Sequence, residues 1–241
     1  MSERKADPVR RVAIIPARGG SKRLPRKNIL PLGGRPMLAW SVDAAQQSGL
    51  FTRVCVSTDV EEVAAVAGNA GAEVLWRPAS LGSDTATVAE VCSHHLAEMQ
   101  NNDEHYDHLY CLYPTAPLRQ AEDLRAMADI FATKTDAVAV IAVTSYMHYP
   151  HQALQLTGSG KLTAFWPELV NLRGSDLPPL MAGNGSTYAV RIDRFMDSLD
   201  FMPSEGLYGY AMDLIRSIDI DTRAEFELLQ AVLEGGQRRA G

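Results

Sequence analysis

The chain of 241 residues is 46% hydrophobic and 22% charged, with a formal net charge of -6. That fits one α/β domain with a modest insertion, and it argues against a general nucleic-acid binder, since such proteins neutralise many phosphates and are usually basic. No apolar run approaches membrane-spanning length, the polar stretch 1–9 lacks the apolar core of a signal peptide, and the three cysteines, Cys55, Cys92 and Cys111, show neither zinc spacing nor a disulfide framework. The expectation is a cytoplasmic enzyme with structural thiols and no membrane partner.

Val12 to Ala17 is a short apolar run, the pattern of a buried strand. A basic, glycine-containing loop follows. Pro36 to Ser48 reads as a helix, with Gly49 as its C-cap. Arg53 to Ser57 is the second strand, Glu61 to Ala70 a helix closed by Gly71, and Glu73 to Leu75 a third strand. Thr85 to Gln100 is helical, His108 to Leu112 a strand, Glu122 to Ala132 a helix and Ala137 to Val143 a strand. Strands alternating with helices of this length imply βαβ units around a mostly parallel sheet, with ligands beyond the carboxyl ends of the strands. The rhythm breaks over 144–185, which carries Pro150, Pro167, Pro178 and Pro179 and reads as an excursion, a small lobe or dimer arm. Ser186 to Arg191 and Ile218 to Ile220 then read as strands and Ala224 to Leu233 as a closing helix.

From Pro8 through Val42 there is no Asp or Glu, yet eight Arg and Lys are present. Five of them fall within the ten residues from Arg18 to Lys27. A cationic zone in an acidic protein points to a small anionic ligand. Glycines at Gly19 and Gly20 let backbone N–H groups approach an anion, and the cations neutralise phosphate charge. The Walker spacing and the dinucleotide Gly-x-Gly-x-x-Gly are both missing from this loop. The competing reading is a solvated basic turn. At the far end, Asp219 and Asp221 flank Ile220. Alternate carboxylates on a strand point to one face and suit one hard cation such as Mg2+. Competing readings are a phosphatase Asp-x-Asp nucleophile, with only 19 residues following Thr222, or a helix cap at Asp221.

The run Ile15-Pro16-Ala17-Arg18-Gly19-Gly20-Ser21-Lys22-Arg23-Leu24-Pro25-Arg26-Lys27-Asn28 resembles the signature of the acylneuraminate cytidylyltransferases, which include the sialic, pseudaminic and legionaminic acid enzymes. The resemblance runs from about Arg11 to Leu233. It implies a Rossmann-like nucleotide-diphospho-sugar transferase fold over 11–241, with the excursion 144–185 as a dimerisation or sugar-side lobe. It also implies a homodimer, Mg2+ as cofactor, and CTP plus a nine-carbon sugar acid as substrates. By resemblance Arg18 and Lys27 hold the triphosphate, with Gly19, Gly20, Ser21 and Asn28 against it, and Asp219 and Asp221 bind the metal. Arg18, Lys27 and Asp221 are the implied catalytic groups. Ser57-Thr58-Asp59 matches as well, with Asp59 read as structural. Arg77, Ser83, Pro114, Thr115, Ala116 and Arg119 are implied nucleotide contacts. Ser83 and Asp84 read equally well as helix caps. Tyr113, Arg173, Asn184 and Tyr188 are implied sugar contacts, with a surface ion pair as the competing reading of Arg173. His148, Tyr149 and His151 read as pocket lining or structural. Tyr113 in place of the Gln usual in sialic acid enzymes points to the pseudaminic branch, Asn184-Gly185-Ser186-Thr187-Tyr188 to the sialic one. The alternatives are activation of another sugar acid such as the eight-carbon KDO, whose enzymes usually have Tyr-Ala-Ser where this chain has Gly-Gly-Ser, or a non-catalytic nucleotide-binding protein.

Overall fold

The computed structural model describes residues 9–83 and 85–240. The stretch read against a signal peptide lies outside these apart from Val9, and so does the cap candidate Asp84. In chain order the strands are β1 (Arg11–Pro16), β2 (Pro31–Leu32), β3 (Arg35–Pro36), β4 (Arg53–Thr58), β5 (Glu73–Trp76), β6 (His108–Leu112), β7 (Ala139–Ser145), β8 (Leu154–Leu156), β9 (Leu162–Ala164), β10 (Met181–Arg191) and β11 (Leu207–Ala211). The α-helices are α1 (Met37–Ser48), α2 (Glu61–Asn69), α3 (Val88–Asn101), α4 (Ala121–Thr133), α5 (Ile192–Ser198) and α6 (Arg223–Ala240). One seven-stranded sheet runs β11-β7-β10-β6-β1-β4-β5. All its pairings are parallel except those of β10, which is antiparallel to both neighbours.

β1 lies between β4 and β6, so both its faces are covered, and Val12, Ala13, Ile14 and Ile15 are all fully buried. That explains a continuous apolar run where an exposed strand would alternate. Side chains still alternate between faces. Ala13 and Ile15 join the cluster with Leu38, Val42, Leu124 and Met127 from α1 and α4. Val12 and Ile14 join Cys92, Leu96 and Phe195 from α3 and α5. All three cysteines are buried, and burial pushes the Cys55 thiol up to about 12, as expected of inert structural thiols. A third cluster, Leu24, Leu32, Met37, Ile220, Phe226 and Leu229, packs α6 against the β2–β3 hairpin. It brings the carboxyl-terminal aspartates to the loop after β1.

Three expectations change. Ile218 to Ile220 forms no strand; its backbone tie to the sheet end is Ile220 N–H to Thr115 O at 2.8 Å. Ile220 is still fully buried, so the apolar signal reported burial in a side cluster. The last strand before α5 begins at Met181, before Ser186. Its first half holds Gly183 and Gly185, which offer no side chain to reveal a strand, and the register shifts between Gly183 and Tyr188, with Gly185 at φ 70°. β11 and α5 are additional elements, short and half-exposed, too brief for a clear period. Within 144–185, β8 and β9 form a separate hairpin.

Candidate active site

The loop from Ala17 to Asn28 leaves the carboxyl end of β1, and polar ties fix its shape. Asp59, just past β4, accepts a hydrogen bond from Gly19 N–H at 3.0 Å, the structural role expected of it. A Cβ at position 19 would run into Val60 Cγ2, so glycine there is required by close approach. Asn28 is buried, and its Nδ2 donates to Arg18 O at 2.9 Å, clasping the two ends of the loop. Arg18, Ser21, Lys22, Arg23, Lys27 and Asn28 line a cleft of about 360 Å³. A larger hollow of about 730 Å³ lies at the opposite edge, between residues 135–138 and 190–206. Its walls carry Asp136, Asp193, Asp197, Asp200 and Glu205, which repel a polyphosphate.

The aspartates meet this loop from the segment just ahead of α6. Asp221 accepts from Lys27 Nζ at 2.7 Å and from Arg23 Nη2 at 2.6 Å. The Lys27 ammonium is the main cause holding its carboxyl below the usual range, with Arg23 adding to it. Asp221 does not cap α6. Thr222 and Glu225 do so, with Glu225 accepting from Thr222 N–H at 2.7 Å and from Asp221 N–H at 2.8 Å. The Asp221 carboxylate is thereby left to the cations. Asp219 differs. Burial raises its pKa, the Asp221 charge adds to the rise, and the Thr115 hydroxyl opposes it. Its Oδ1 is buried with no hydrogen-bond partner. A buried orphan carboxylate oxygen beside a second carboxylate is a donor set that fits a hard divalent cation.

The other expected site residues fall into three groups. Arg77 sits at the end of β5, where Nε and Nη2 donate to Ser57 Oγ and Ser57 O at 2.9 and 3.1 Å. Burial lowers its pKa, the nearby Asp59 charge opposes that and the Arg18 charge adds to it. Tyr113 and Tyr188 stand edge to face with ring centroids 5.8 Å apart, and both feel the charge of Asp219. Pro114, Thr115 and Ala116 form a buried turn, in which Thr115 O receives Ile220 N–H and so links β6 to the aspartates. These residues gather around the cleft.

Arg119 and Asn184 do not present their side chains to a ligand. Arg119 is 3% exposed. It donates to Ser186 O at 2.6 Å and Ser41 Oγ at 2.7 Å, and burial lowers its pKa to about 10. It braces the 113–116 turn from inside, where reading it as a nucleotide contact placed it outside. Asn184 is buried too. Its Nδ2 donates to Ser217 Oγ at 2.9 Å and its Oδ1 accepts from Ser186 N–H at 3.0 Å, so the expected sugar contact is a pin for the β10 bulge. Ser83 closes a turn on Thr85 and Ala86, and Thr87 with Glu90 caps α3, which starts at Val88. The cap reading of Ser83 is therefore overturned. Arg173 is exposed on the lobe, far in sequence from the loop, and His148 and Tyr149 are exposed while His151 is buried. Ser57 belongs to the matching Ser57-Thr58-Asp59 run, but its partner His95 was not signalled by the sequence: Ser57 Oγ lies 2.8 Å from His95 Nε2, behind Arg77.

A mostly parallel α/β sheet with a cationic glycine loop after its first strand, faced by paired aspartates, has the architecture of a nucleotidyltransferase. Residues 12–155 match the cytidylyltransferase family model. The chain is 32% identical to the CMP-N,N'-diacetyllegionaminic acid synthase of Legionella pneumophila, over 95% of this chain and 98% of that protein. It is 30% identical to the pseudaminic acid cytidylyltransferase of Campylobacter jejuni, over 91% and 94%. A CMP:2-keto-3-deoxy-manno-octonic acid synthetase solved with CTP superposes with a TM-score of 0.70 at 16% identity, covering 94% of this chain and 99% of that one, a likeness of fold. The chain belongs to the cytidylyltransferase family.

Proposed function

We propose that the chain transfers the cytidylyl group of CTP to a nonulosonic, sialic-acid-like acid, giving the CMP-sugar and diphosphate. The observation that carries this reading is the cleft itself: four cations, Arg18, Lys22, Arg23 and Lys27, on a loop shaped by Asp59 and Asn28, with Asp219 and Asp221 across from it. Identity of 30% and 32% over nearly the full length to enzymes named for pseudaminic and legionaminic acids supports a nine-carbon acid as acceptor.

The sugar's anomeric hydroxyl attacks the α-phosphorus, and the bond to the β-phosphate oxygen breaks. Catalysis is positioning and charge neutralisation. Arg18, Arg23 and Lys27 stabilise the departing diphosphate, while the amides of Gly19 and Ser21 are bonded to Asp59 and to Gly19 O and shape the loop. Asp219 and Asp221 would hold Mg2+, which when bound neutralises phosphate charge. Tyr113 and Tyr188 form an aromatic wall beside Asp219 for the sugar. Exposed Leu154, Leu156, Leu162, Phe165 and Trp166 on the lobe support a homodimer, because apolar groups clustered at one surface mark an interface. No helix among the described residues is long and apolar enough to cross a membrane, which agrees with an enzyme acting in the cytoplasm.

The test is to incubate the protein with CTP, Mg2+ and a panel of acids (pseudaminic, legionaminic, N-acetylneuraminic and KDO) while following diphosphate release. Turnover with a nine-carbon acid is expected. Turnover with KDO alone would overturn the acceptor, and CTP binding without turnover would favour a binding protein.

A further inference from the structure

Behind the cleft, a file of four polar side chains crosses from α3 to the end of β5. Arg77 Nε donates to Ser57 Oγ at 2.9 Å. Ser57 Oγ lies 2.8 Å from His95 Nε2, and His95 Nδ1 lies 3.2 Å from Glu98 Oε2. Ser57 is fully buried and His95 is 1% exposed, so water does not complete their hydrogen bonding.

The donor and acceptor inventory places every proton. A guanidinium only donates, so Ser57 Oγ accepts from Arg77. The single hydroxyl proton of Ser57 then goes to His95 Nε2, which must be bare. His95 carries its proton on Nδ1, facing a carboxylate that only accepts. One arrangement satisfies all four groups: Arg77 to Ser57, Ser57 to His95, His95 to Glu98.

We propose that His95, as the neutral Nδ1–H tautomer, is a positioning residue that fixes the Arg77 guanidinium by way of Ser57 and so sets the nucleotide side of the cleft. The link to CTP rests on the function proposed above. Arg77 needs such a device because its Nη2 is spent on Ser57 O at 3.1 Å, so the tilt of the whole guanidinium follows the serine. Burial lowers the pKa of His95, and the charges of His94 on α3 and Arg77 beyond β5 push the same way, while Glu98 on α3 opposes them. The balance of these effects favours the neutral ring. Protonation at Nε2 would turn it into a donor, forbid the Ser57 bond and set two cations against one hydroxyl.

The experiment uses nitrogen NMR on the full chain without nucleotide, alongside calorimetric CTP binding. The expected pattern is a bare Nε2 and a protonated Nδ1 on His95, with a slowly exchanging Arg77 Nε–H. That proton should persist in His95→Gln, whose amide oxygen replaces the acceptor, and exchange rapidly in His95→Leu and Ser57→Ala. CTP affinity should fall by about tenfold in His95→Leu, the loss of roughly one buried hydrogen bond, and recover in His95→Gln. In the wild type it should weaken on acidification as Nε2 protonates. An Nε2–H tautomer, or Arg77 exchange and CTP affinity unchanged in His95→Leu, would overturn the proposal. Failure of the wild type to bind CTP would instead overturn the nucleotide reading, with the NMR pattern judging the relay by itself.

Discussion

The loop after β1 and the lobe between β7 and β10 are both irregular, yet they are held in opposite ways. The loop is tied by polar bonds to residues far away in sequence: Gly19 to Asp59, Lys27 and Arg23 to Asp221. The lobe is tied mostly to itself, through the β8–β9 hairpin and bonds such as Gln152 Nε2 to Leu172 O. It leaves Met147, Leu156 and Phe165 at least 63% exposed. A phosphate site must be formed before its ligand arrives, because reorganising charge during reaction is costly. An interface can leave its apolar surface to be covered on association.

That contrast can be broken most severely at the aspartates. Asp219→Ala or Asp221→Ala is expected to cut turnover by on the order of a thousandfold while leaving the unfolding midpoint nearly unchanged; diphosphate release and denaturant melts report the two separately. Near-normal turnover in either variant would remove its assigned role. Arg119→Met should act in reverse. It removes the guanidinium's bonds to Ser186 O and Ser41 Oγ, and a loss of about 3 kcal/mol in urea unfolding is expected, with CTP binding retained in the molecules that remain folded.

Acid should loosen the sheet by a similar or smaller amount. Burial, assisted by Arg11, lowers the His108 pKa to about 4 from an ordinary 6.5. The unfolded chain therefore takes up the proton first, and stability falls as pH drops from 6.5 towards 4, by up to about 3 kcal/mol. His108→Leu should flatten that part of the pH–stability curve. The smallest effect on the monomer belongs to the lobe: Leu156→Ser with Phe165→Ser should change its stability by less than about 0.5 kcal/mol. The same pair should shift a dimer towards monomer in sedimentation. A large loss of stability with no shift in mass would show the lobe to be part of the core.

Much of this was legible in the residues. The βαβ rhythm, the Gly49 cap and the basic loop were plain because each is a local pattern: an apolar run, a left-handed glycine at φ 67°, a stretch without acids. The importance of the two aspartates near the loop was also legible, although the strand that was to carry them is absent and Ile220 anchors them by packing. Legibility failed where a polar residue's destination depends on partners elsewhere. Ser57 and His95 are 38 positions apart, and nothing near either announces the other.

By itself the sequence determined what chemistry is present: cations without counter-charges nearby, glycines for close approach, and two carboxylates around an apolar anchor. Those are properties of residues and their neighbours. Only the tertiary structure decided which polar groups face the cleft and which are consumed inside. Arg119 and Asn184 look like ligands in the chain, yet they spend their donors on Ser186 and Ser41, and on Ser217. The physical reason is that a buried polar group must find a partner, and the fold, not the motif, supplies it.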